Sequence, residues 1–148
     1  MKIFKKIGAM LLLLLLVAQF FKKKKNEGNL IAVVPFLNET NPPENVKIIL
    51  ETTCFDCHSN KTNYPWYNSI TPVNYWLESH VNDGKKHLDF SKWSSYSLKR
   101  KEHKMDELHE EVSEGEMPLK SYTWTHADAN LTSEEIAAVV DWGKTVQV

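Results

Sequence analysis

Apolar positions recur with a helical period along most of this chain. Val46, Ile49, Leu50 and Thr53 fall at i, i+3, i+4 and i+7 and predict a helix over about 43–53, with Pro43 at its first position. A second helix is expected from Thr71-Pro72, read as an N-cap followed by proline at N1, to about Asp83, with Gly84 just past its end. Its apolar face is Val73, Trp76, Leu77 and His80. Leu98, Met105, Leu108 and Val112 stripe a third helix over about 97–113, which Gly115 terminates. Thr132 with Glu135 three residues on forms a capping box for a last helix. Its inward face is Ile136, Val139, Val140 and Gly143, flanked by Trp142.

The stretches between these helices are polar and aromatic. Ser59–Ile70 reads as a loop anchored by Tyr64, Trp66 and Tyr67, and His87–Tyr96 as another aromatic loop. Glu116-Met117-Pro118 leads into an irregular stretch holding Tyr122, Trp124 and His126. No alternating strand pattern or internal repeat is present, so the expected fold class is all-α.

The N-terminus follows a different pattern. A short basic segment, an apolar run over 7–21 and the cluster Lys22–Lys25 make residues 1–25 a signal peptide or signal anchor. No A-x-A cleavage site follows, and with Ile3 and Phe4 the run approaches the lower limit of a spanning helix, which favours an uncleaved anchor. Residues 26–41 read as a linker and 42–148 as one domain. Seven of the 18 basic residues lie before Asn26 and all 19 acidic ones after it, so the remainder carries a formal charge of −8. That balance argues against a nucleic-acid partner and favours a basic protein partner.

The chemistry concentrates in Cys54-Phe55-Asp56-Cys57-His58, a C-x-x-C-H spacing read as a c-type haem attachment site. Two thiols three residues apart reach the two vinyl groups on one haem edge, and the adjacent imidazole becomes an axial ligand. Both cysteines of the chain lie here, which leaves none for a disulfide. A zinc site needs further ligands at C-x-x-C or H-x₃₋₅-H spacing; His80 and His87, or His103 and His109, do not have it. A thioredoxin-like pair needs a surrounding βαβ pattern, and a chance C-x-x-C beside a histidine remains the bland alternative.

A six-coordinate iron needs a second axial ligand. Met117 is the candidate, on an inter-helical loop stiffened by Pro118; Met105 lies on a helical stripe and reads as core. His80, on an inward face, is the rival. His87, His103, His109 and His126 are weaker candidates. His58 is expected to donate its free ring N–H to a carbonyl of the Tyr64–Pro72 loop. Trp66, Trp76 and Tyr122 are candidate walls of the haem pocket, and Lys120 a candidate partner of a propionate.

These residues resemble class I c-type cytochromes. More closely, CFDCHSN, YPWYNSITPVNYWLESHVNDGKKHLDFSKW, EGEMPLKSY and LTSEEIAAVVDW resemble the bacterial haem-binding domain family of small anchored proteins, over about 41–146. The resemblance implies a small helical fold around one haem c. Cys54 and Cys57 would carry it, with His58 proximal and Met117 distal. Covalent haem attachment looks like an extracytoplasmic process, which implies haem-attachment machinery and a domain anchored on the periplasmic side of the inner membrane. Lys22–Lys25 oppose that orientation by the positive-inside rule. Electron transfer is the expected function; the alternative is a peroxidase-like enzyme or haem-based sensor with a labile distal ligand.

Overall fold

The apolar run folds as α1, Lys2–Ala18, with no buried residue. At 17 residues it spans about 26 Å, short of a bilayer's ~30 Å hydrocarbon core. In the computed structural model, which describes residues 2–146, no helix is long and apolar enough to cross a membrane, so the expected spanning anchor is not found. The chain turns at Gln19, just past the helix end. Its carboxamide accepts from Thr71 N–H and donates to Thr71 C=O, both at 2.9 Å, which draws the chain onto the domain. The lysines follow: Lys23 pairs with Glu78 at 3.0 Å and lies over Tyr75, and Lys25 lies over Tyr64.

The segment read as a linker belongs to the core. Leu30–Val33 forms a 3₁₀ turn leading into α2, Val34–Thr40, with Pro35 in its first turn. Phe36 is 0% exposed and packs on Phe90, Trp93 and Trp142 at centroid distances of 4.4, 5.0 and 6.2 Å. Trp93 Nε1 donates to Glu39, and Trp142 Nε1 to the Thr40 carbonyl. Val33, Phe36, Leu37 and Thr40 form a helical face too short to stand out beside Gly28 and Pro35.

The helix entering the pentapeptide forms over the expected stretch and extends further, but Pro43 is its N-cap and not its first residue. α3, Glu44–Ile49, passes through a π-turn at Leu50–Cys54 into α4, Phe55–His58. Val46, Ile49, Leu50 and Thr53 are all buried.

α5, Val73–His87, differs from expectation at both ends. Pro72 is the N-cap, and the Thr71 hydroxyl points to the Phe21 carbonyl instead of capping. Gly84 lies inside the helix. A Cβ there would sit 2.9 Å from the Cys57 carbonyl oxygen, so glycine serves close helix approach here and not chain reversal.

α6, Leu98–Ser113, is capped by Ser97 and followed by Gly115 at φ 72. Met105 and Val112 are buried and Leu108 partly so; Leu98, at N1, is 60% exposed, so the stripe starts later than expected. α7, Lys120–Thr123, is a single turn. α8, Ser133–Thr145, has the capping box, packs on α6 and buries Val139, Val140, Trp142 and Gly143, with Trp142 reaching α2. The architecture is all-helical; among the described residues the one extended pairing is an isolated bridge between Glu27 and Lys61.

Candidate cofactor site

The pentapeptide closes the α3–α4 rod, where the π-turn places Cys54 at its last residue. Phe55 turns into the core against Phe90, 5.4 Å between centroids. Both cysteines are half-buried and unpaired. Burial, with Cys57 nearby, pushes the Cys54 thiol up to about 12; burial, with Asp56 beside it, pushes Cys57 up to about 11.

His58 is held from behind. Its Nδ1 lies 2.9 Å from the Leu88 carbonyl oxygen, a contact that fixes Nδ1 as the N–H donor and leaves Nε2 with its lone pair. The supplier is thus the residue closing α5, not the expected 64–72 loop. Burial holds the imidazole below its usual pKa and outweighs the Leu88 and Gly84 carbonyls and the Asp89 charge, so the ring is neutral, the form that binds a metal.

Asp56, a variable position of the motif, ties the site together. Buried, it accepts from Asn63 N–H at 2.8 Å and from the Tyr122 hydroxyl at 2.9 Å, and its carbonyl accepts from the Thr62 hydroxyl. Burial, then the Asp56 carboxylate, raises the Tyr122 phenol well above its ordinary value, so it stays protonated and donating. Tyr122 stacks on His126, 4.2 Å between centroids at 15°.

Between α5 and the α7 segment lies a shallow cleft open to solvent. Cys57, Trp76, His80, Val81, Tyr122 and His126 are among its lining residues, and the Trp76 ring meets His80 at 4.4 Å. The cleft thus gathers Cys57, Trp76, Tyr122 and His80 of the residues singled out from sequence. Met117 lies elsewhere: partly buried, it packs with Cys54 against the main hydrophobic cluster, its N–H donating to the Glu111 carbonyl. Lys120 is exposed. Trp66 stands outside the cleft, 78% exposed with its ring on Tyr67; Tyr64 and Pro65 turn toward the cleft in its place.

Sequence reasoning missed Asp56, Leu88 and Asp89. Only Asp89 left a trace, an Asp two residues before a serine, the spacing of a side-chain cap; its Oδ1 accepts from Ser91 N–H.

Adjacent unpaired thiols, a neutral imidazole with one ring nitrogen open and a mainly apolar cleft beside Cys57 suit an iron-bearing macrocycle better than a bare ion. Among the described residues no group of three or more His, Cys, Asp or Glu is arranged to hold a metal. Fold and site therefore define a small helical cofactor-binding module. The chain belongs to the haem-binding domain family, whose model matches residues 13–145, and it is a haem-binding protein. No curated protein and no solved structure matches the chain.

Proposed function

We propose that this protein is a monohaem c-type cytochrome that transfers electrons. Cys54 and Cys57 would hold one haem through thioether bonds, and His58 would take the iron through Nε2. The observation that carries this reading is the His58–Leu88 contact directly beside two unpaired cysteines. Bound haem supplies a one-electron iron couple. The chain's own residues hold the proximal imidazole neutral and oriented, limit water at the buried face of the motif, and fix the α7 segment through Asp56 and Tyr122.

Met117 is the distal ligand in this reading. It shares the hydrophobic cluster with Cys54, and its thioether favours the ferrous state. Lys120 is exposed and available to a propionate. The domain acts on the periplasmic side of the inner membrane after haem attachment there, and the −8 charge beyond the leader suits a basic redox partner. A second reading follows from His80, which shares the cleft with Cys57. With His80 there as ligand or acid/base group, and Met117 not bound, the protein is a peroxidase-like enzyme or sensor.

Denaturing wild-type protein matured with haem, and separately a Cys54→Ala/Cys57→Ala variant, tests attachment: haem stays on the first chain and is lost from the second. Haem lost from both removes the c-type reading. A sulfur-to-iron charge-transfer band in the ferric spectrum, absent in Met117→Ala and kept in His80→Ala, supports the electron carrier. A high-spin ferric spectrum with rapid cyanide binding selects the second reading.

A further inference from the structure

The carbonyl that holds His58 belongs to a peptide group engaged at both ends. Leu88 C=O accepts from His58 Nδ1–H at 2.9 Å, and the N–H of the same peptide, on Asp89, donates to the Tyr96 hydroxyl oxygen at 3.0 Å. The flanking groups are fixed too: Leu88 N–H donates to the Gly84 carbonyl, and the Asp89 carbonyl accepts from Lys92 N–H, both at 2.9 Å. The Asp89 side chain is 0% exposed. Its Oδ1 accepts from Ser91 N–H, while Oδ2 has no hydrogen-bond partner, with the Lys85 and Lys92 ammonium groups at 3.9 and 3.8 Å.

We infer that Tyr96 and Asp89 are positioning residues for the proximal histidine: the Tyr96 hydroxyl, through the Leu88–Asp89 peptide, and the buried Asp89 charge set how strongly the His58 imidazole donates to a metal at Nε2. The inference rests on the haem reading above. A peptide that donates at one end is a better acceptor at the other, because hydrogen bonds in series polarise one another. A fixed carboxylate in a low-dielectric surround adds negative potential at the ring. Both strengthen the hold on Nδ1–H and enrich Nε2, the effect that outer partners of metal-bound histidines have. Capping the turn requires only Oδ1, so the buried, unbonded Oδ2 goes beyond what a cap needs.

Two near-isosteric changes separate this role from packing. Tyr96→Phe keeps the ring beside Trp93, at 6.1 Å, and under the Arg100 guanidinium, at 4.3 Å, and removes only the hydroxyl. Asp89→Asn keeps the shape and the Oδ1 cap and removes the charge. In the full chain matured with haem, each variant shifts the Fe(II)/Fe(III) ratio at fixed potential about tenfold toward Fe(II), a rise of about 59 mV in midpoint potential for one electron. Potentials equal to wild type in both variants, with unchanged circular dichroism, overturn the inference. In the haem-free chain, His58 Nδ1–H exchanges with solvent about tenfold faster in Tyr96→Phe than in wild type, by NMR; equal exchange also overturns it. Absence of covalent haem from denatured wild type removes the haem reading instead, and the exchange rate then still decides the relay.

Discussion

The two sides of the pentapeptide are built differently. Behind His58, the groups are buried and nearly all partnered: Leu88 holds the imidazole, Tyr96 holds the Leu88–Asp89 peptide, and the His58 ring lies 6.1 Å from Phe90, which rests on Phe36 and Phe55. In front of Cys57, an open cleft is closed by one short turn, α7, held to the motif by the Tyr122–Asp56 bond. One side is fixed by folding alone. The other is a shallow cleft open to solvent, held by a single turn. A haem-binding protein needs rigidity where an iron ligand is presented, and the weakly held turn beside Cys57 is the part that can yield to the cofactor.

The largest effect expected from this contrast is chemical. In the haem-free chain, Cys57 and Cys54 are raised from 9.0 to about 11 and about 12, which lowers their thiolate fractions near pH 8 about a hundredfold and a thousandfold. Alkylation by iodoacetamide in native buffer is slowed by about those factors relative to the urea-unfolded chain; equal rates would place both thiols in solvent. Because the folded values are raised, the associated stability is fully present below about pH 9 and is lost as pH rises through 11 to 12, which a pH series of urea melts reads.

Phe36→Ala comes next, at about 3–5 kcal/mol in denaturant melts. A loss under 1 kcal/mol would return residues 26–41 to the status of a linker. Gly84→Ala pushes α5 off Cys57 and costs about 1–3 kcal/mol. Normal stability would show that the close approach is not needed. Smallest is Tyr122→Phe, which leaves an Asp56 oxygen without its donor at a cost of about 1–2 kcal/mol. Hydrogen exchange should then rise around 118–130 and not around 88–96. Exchange rising equally in both would mean that the two sides are one cooperative unit.

Much of this was legible in the chain. The Val46–Thr53 stripe, the Thr132/Glu135 capping box and the Gly115 stop are local signals, each set by neighbours within a turn or two. What escaped depends on distant pairings. Gln19 finds Thr71 across 52 residues, Leu88 finds His58 across 30, and Tyr122 finds Asp56 across 66. Gly84 misled because the same residue type serves a helix stop and a close helix crossing. Trp66 misled because a large aromatic in a loop carries no sign of which way it faces.

The π-turn at Leu50–Cys54 has one further meaning, that of a phase change. An unbroken α-helix would carry the Val46–Leu50–Thr53 stripe on to Cys57, turning that thiol toward the core. The wide turn takes up one extra residue, and Phe55 continues the stripe in place of Cys57. One residue corresponds to about 100° of helical rotation. Deleting Thr52 would restore the regular phase and swing the whole pentapeptide round by that angle, so the facing of the haem motif depends on the length of this segment as much as on the residues within it.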